Sequence, residues 1–119
     1  MGMFEIYFHD SLVGRSALEF GDPPMGVAFG RFIATDSYRH IRLECRTNHA
    51  DQSVLALRVK TPGGVQVKCA GVAILDGSTD SDGDDSELVE VAVLGVEFPP
   101  YGELFPEHVI AYEERFKLG

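Results

Sequence analysis

The chain has 119 residues, 45% of them hydrophobic and 24% charged, enough for one domain with a single core and no need of metal or disulfide staples. Its formal charge of −9 argues against DNA, RNA and anionic lipid, all of which reward a basic surface. A basic protein partner, a cation or plain solubility remains open.

The charge is uneven along the chain. Seven basic residues between Arg31 and Lys68 face three acids, a balance of +4, so the remainder carries −13. Met1-Gly2-Met3-Phe4-Glu5 puts an acid where a signal peptide has its basic region, and no apolar run approaches membrane-spanning length. Ile6 stands where a myristoylation motif needs Ser or Thr. Cys45 and Cys69 form no Cys-x-x-Cys pair, which fits reduced thiols in a cytoplasmic protein better than a disulfide framework.

Phe4–Phe8 reads as a strand, His9-Asp10-Ser11 as a turn, and Leu12–Phe20 as the return strand of an antiparallel hairpin. Gly14 within it points to a bulge or a close backbone approach. The stretch from Gly21 to Phe32 then breaks the pairing. Pro23 and Pro24 cannot donate to a ladder, so residues 21–26 form a turn or crossover before a strand resumes at Val27. In that strand the large residues Val27, Phe29 and Ile33 alternate, and Gly30 is a second bulge candidate.

Asp36 suits a helix N-cap. Beyond it the pattern is ambiguous, Tyr38, Ile41 and Cys45 fitting a helical face while Ile41, Leu43 and Cys45 fit a strand. One or two helical turns followed by extended chain is the expected compromise, with residues 48–52 as a loop. Ser53–Lys60 and Val65–Leu75 flank Thr61-Pro62-Gly63-Gly64, whose turn chemistry predicts a long hairpin. Residues 76–86 are acidic and without apolar anchors, which predicts a mobile loop before the last long strand, Glu87–Val96. Pro106, Glu107 and the basic Arg115 and Lys117 match the ends of a closing amphipathic helix, with Val109, Ile110, Tyr112 and Phe116 as its apolar face. Glu97-Phe98-Pro99-Pro100-Tyr101-Gly102 echoes the segment from Glu19 to Gly26, a similarity read as shared strand-exit geometry and not as duplication.

No stretch carries a motif specific enough to name a reaction. Asp80-x-Asp82-x-Asp84 opens like a calcium loop, but Asp85 replaces the required Gly and Val91 the required Glu. His9, His40, His49 and His108 form no metal-binding pair, and surface or turn histidines are the simpler reading. His108, on a helix beside Glu107, is the most interesting of the four. Ser11, Ser16, Cys45 and Cys69 lack a nucleophile's local context. Gly26-x-x-x-Gly30 lacks the spacing and the lysine of a phosphate cradle. Phe29-Gly30-Arg31-Phe32 is only a faint match to an RNA-binding aromatic strand. The aromatic residues are most simply the core, though a ligand pocket would use the same types.

These patterns predict an α+β domain spanning the whole chain: a twisted antiparallel sheet of five to seven strands, or a partly closed barrel, with the C-terminal helix packed on it. No cofactor or metal is expected. The leading functional expectation is a non-catalytic, acidic protein-binding domain, in its most concrete form an immunity-type inhibitor of a basic toxin enzyme. Asp80, Asp82, Asp84, Asp85, Glu107, Glu113 and Glu114 would face that partner. The alternative is a small ligand-binding or enzymatic domain with a pocket near the Pro-Pro-Met-Gly turn, using Arg31, Tyr101 and His108. A third is a structural subunit that self-associates through strand edges.

Overall fold

The computed structural model describes residues 3–48, 52–77 and 89–117. Eight strands form two open, four-stranded antiparallel sheets. The first has the order β5 (Ile33–Ala34), β2 (Ser11–Ser16), β1 (Phe4–Phe8), β6 (Arg58–Lys60). The second runs β3 (Phe20–Asp22), β4 (Val27–Arg31), β8 (Val89–Leu94), β7 (Gly71–Asp76). The expectation of one sheet or a partly closed barrel is therefore corrected. The first sheet ends on β5 and β6 and the second on β3 and β7, and among the described residues no ladder joins these edges into a closed ring.

The chain passes between the sheets through two short links, each turning on a buried side chain, and again on the way from β6 to β7. Between β2 and β3 the pivot is Leu18, at φ 47°, whose N–H is taken up by the hydroxyl of buried Ser16 at 3.0 Å. Between β4 and β5 the pivot is Phe32, also buried. Its ring lies against Gly14, where an added Cβ would stand 2.2 Å from Phe32 Cζ. Gly14 thus makes the close approach its position suggested, beside a bulge that leaves Val13 without a partner on β1. A single apolar core draws on both sheets: Ile6, Val13 and Val59 from the first, Ala28, Ile74, Val91 and Val93 from the second.

The expected first hairpin forms, closed by a two-residue turn with His9 at φ 55°, but its return strand stops at Ser16 and Phe20 joins the second sheet instead. The long hairpin predicted around Pro62-Gly63 does not. Its turn exists, with Gly64 at φ 89° and its N–H bonded to Thr61 O at 2.9 Å. Its arms are cut short because Ser53–Leu55 forms a 3-10 turn ending on Ala56 at φ 47°, leaving β6 only three residues to pair with β1. Beyond Ala70 the chain leaves for the second sheet, where β7 pairs with β8 from Gly71↔Leu94 to Asp76↔Val89.

Residues 36–47 take the helical alternative throughout, a 3-10 turn (Asp36–His40) followed by α1 (Arg42–Thr47). Extended chain after His40 is corrected because Tyr38, Ile41 and Cys45 are all buried, the helical stripe, while Leu43 is 74% exposed. Burial also pushes the Cys45 thiol up to about 11, so it packs as a small apolar group. Asp76, expected to begin the acidic loop, instead ends β7 on its core side and is 2% exposed. It accepts a hydrogen bond from Tyr38 Oη at 2.6 Å and lies 4.0 Å from Arg46 Nε, pinning the helical segment to the strand. The rest of the expected loop, residues 78–88, lies outside the described residues.

The outer edge of β7 is met by a side chain. Buried Gln52 donates from Nε2 to Ile74 O at 2.7 Å and accepts the Ile74 N–H on Oε1, also at 2.7 Å. One amide satisfies both backbone groups as a neighbouring strand would. Replacing Gln52 with Ala strands both groups in a dry environment and is expected to lower unfolding stability by about 2–4 kcal/mol. Leu43→Ala, on an exposed position, should shift it by under about 0.5 kcal/mol. Chemical denaturation of the two variants beside the parent checks the contrast, and equal midpoints would refute it.

Candidate functional site

The two proline-rich turns meet. Pro23–Met25 forms a 3-10 turn closed by Gly26 at φ 66°, and β4 begins at once. Pro99-Pro100 leads into the short α2 (Tyr101–Leu104), and Phe105 then joins it to α3 (Pro106–Lys117). Val96 N–H donates to Gly26 O at 2.9 Å, and the Tyr101 hydroxyl donates to Val27 O at 2.8 Å. The same hydroxyl lies 2.9 Å from Nδ1 of His108. The contact needs a residue with no side chain beneath it. A Cβ on Gly21 would fall 2.0 Å from Tyr101 Oη, 2.5 Å from His108 Nδ1 and 2.9 Å from Val27 O.

His108 is 6% exposed. Its ring stacks on Phe105 at 4.8 Å and 2°, and Phe105 stacks in turn on Phe4 of β1 at 5.2 Å. This column carries the helix onto the core, whereas Ile110, expected on the buried face, is exposed. The side chain of Phe116 lies outside the described residues.

Between β3, the Pro23–Met25 turn and α3 lies a groove of about 770 Å³. Its apolar lining includes Phe20, Met25, Phe29 and Tyr112, with Phe20 and Phe29 stacked at 5.6 Å. Phe20 is 58% and Met25 67% exposed, an unusual outlay of large apolar surface at one edge of a small protein. The charged lining is Glu19, Asp22, Glu107 and Arg115, three carboxylates to one guanidinium. Glu19 also accepts the backbone N–H of Arg31 at 3.3 Å. Among the described residues no group of three or more His, Cys, Asp or Glu is placed to hold a metal ion. A smaller cleft of about 420 Å³ beside β7 includes Cys69, whose thiol burial pushes upward, away from thiolate chemistry.

Of the three residues expected at a pocket, Tyr101 and His108 come together and His108 lines the groove. Arg31 does not join them; it ends β4 opposite Glu90 and is absent from the groove wall. Of the acids expected to face a partner, Glu107 lines the groove, while Glu113 and Glu114 are exposed on α3 outside its lining. Asp80, Asp82, Asp84 and Asp85 lie outside the described residues. Sequence reasoning missed Glu19, Asp22, Met25 and Arg115. The available signal was the spacing of His108, Tyr112 and Arg115, which share one face of α3.

Burial, with the carboxylates of Asp22 and Glu107 adding to it, pushes Tyr101 up to about 12. The fold favours the neutral phenol, so this contribution is complete below the ordinary value of 10.0 and is lost as pH rises towards about 12. Tyr38, raised further by burial and by its bond to Asp76, adds to the same alkaline loss. An ultraviolet titration should show two of the four tyrosines ionising late, and Tyr101→Phe should remove one late step and cost about 1–2 kcal/mol through its lost hydrogen bonds. Gly21→Ala is expected to cost about 1–3 kcal/mol by overpacking the Tyr101–His108 contact. Full stability in that variant would contradict the geometry. Comparison with protein-family models, curated proteins and solved structures finds no match to this chain, so the groove itself carries the functional reading.

Proposed function

We propose that this chain is a binding domain for a basic protein, and that the groove between β3 and α3 receives it. The observation that carries the reading is the pairing of an apolar strip, exposed Phe20 and Met25 with half-buried Phe29, with a rim of three carboxylates, Glu19, Asp22 and Glu107. An apolar centre supplies contact area, and a charged rim selects the sign of the partner and speeds encounter. The formal charge of −9 over the whole chain acts in the same direction at longer range. An inhibitor that captures a basic toxin enzyme is the form that best fits these features, because such capture rewards a fast, charge-steered approach.

The test is affinity capture from the source cell on the immobilised full chain, beside an Asp22→Asn/Glu107→Gln double variant. A basic protein should be retained at low salt and released as ionic strength rises towards about 0.5 M, where the screening length drops to a few ångströms. Its retention should fall about tenfold or more in the double variant, each lost charge contact being worth on the order of 1 kcal/mol. Capture of no basic protein, capture indifferent to salt, or equal retention by the variant would each overturn the reading.

A further inference from the structure

His108, which lines the groove, holds a buried ring nitrogen that no described residue bonds. The Tyr101 hydroxyl has one proton, and Val27 O, which can only accept, takes it at 2.8 Å. Tyr101 Oη must then accept from its other neighbour, so Nδ1 of His108, at 2.9 Å, carries a proton. A neutral imidazole protonated at Nδ1 presents a bare lone pair at Nε2. That nitrogen exposes less than 1 Å² and has no hydrogen-bond partner among the described residues. The opposite tautomer gives no relief, because it would set a lone pair of Nδ1 against a hydroxyl oxygen whose proton is already given away. Buried polar atoms are almost always partnered, and because His108 lines the groove an occupant there can supply the partner.

We propose that Nε2 of His108 accepts a hydrogen bond from the guanidinium of an arginine side chain that an occupant inserts into this groove. The assignment rests on the reading of the groove as a docking site for a basic partner and specifies what the groove recognises. Three features of the wall select a guanidinium. Its planar fork has five donors, enough to meet Nε2 and still face Asp22 or Glu107. It stacks on aromatic faces, and the Phe20–Phe29 pair offers them in the same wall. It is more weakly hydrated than an ammonium, which favours it beside an atom already shielded from water. The rotamer adjustment that admits the donor to Nε2 is of the size that side chains at interfaces commonly make. The hydroxyl of Tyr101 acts as a positioning group, since it fixes which nitrogen of His108 carries the proton.

The probes are acetyl-Leu-Arg-Leu amide and its lysine counterpart, titrated by calorimetry into the full chain and into His108→Asn and Glu107→Gln variants. Asparagine keeps a donor near the Nδ1 position and removes Nε2. The arginine peptide should bind about tenfold more tightly than the lysine peptide, and His108→Asn should erase most of that advantage. On the parent protein, long-range imidazole nitrogen spectra should show Nδ1 protonated throughout and the Nε2 resonance moving as the arginine peptide saturates. These spectra need no variant and keep the test open if His108→Asn folds poorly. An Nε2 resonance that stays still at saturation, equal affinity for the two peptides, or parent-like binding by a folded His108→Asn would each overturn the assignment. Weakening by Glu107→Gln together with an unmoved Nε2 would overturn the His108 assignment and leave the groove reading standing. Failure of every form to bind either peptide would overturn both.

Discussion

The hydrogen bond from the Tyr101 hydroxyl to the Val27 carbonyl ties together parts of the chain 74 positions apart. The stack of His108 on Phe105 on Phe4 anchors the same helical segment to β1, while Ile110 faces solvent. Three conditions make the bond possible, and all are written in the sequence. Gly21 clears the space, the proline turn at 23–25 delivers Val27 at the right place, and Pro100 starts the helical turn that carries Tyr101. The groove is what remains open when these parts are drawn together.

What the sequence disclosed follows the range of the interactions involved. The first hairpin, the Pro62-Gly63 turn and the closing helix rest on residues a few positions apart, and all three were legible. The division into two sheets was not. It depends on Leu18 and Phe32 finding a shared interior, and neither looks different from its neighbours in a one-dimensional pattern. β4 is instructive here, since its alternating large residues Val27 and Phe29 are only half-buried while the fold buries Ala28 and Gly30. Glu19 stands so close over Gly30 that a side chain there would strike its backbone nitrogen at 2.9 Å, and Phe29 is left to line the groove. Asp76 misled for a similar reason. An aspartate before an acidic run reads as solvent-exposed until Tyr38 and Arg46, more than 25 positions away, are placed beside it.

The candidate site was half legible for the same reason. Tyr101 and His108 stood out by residue type and by their place near a turn, and the fold joins them. Arg31 stood out by adjacency to the glycine-rich stretch, but adjacency along an extended strand means distance, since each residue advances the chain by about 3.3 Å. The carboxylates that matter in the groove, Glu19 and Asp22, were hidden because they lead into a turn that already had a structural explanation. A turn that redirects the backbone also aims whatever flanks it.

The amide of Gln52 has a consequence at the level of many molecules. A sheet grows by offering N–H and C=O groups to the next strand, and a second copy of the protein is always available to answer. At the middle of β7 the offer at Ile74 is already taken, by a side chain too short to offer anything onward. At the other end of the same sheet α3 lies beside β3, which is only three residues long. One pair of backbone groups on the β7 margin is thus answered from within the chain, where an uncapped strand would offer it to a second molecule.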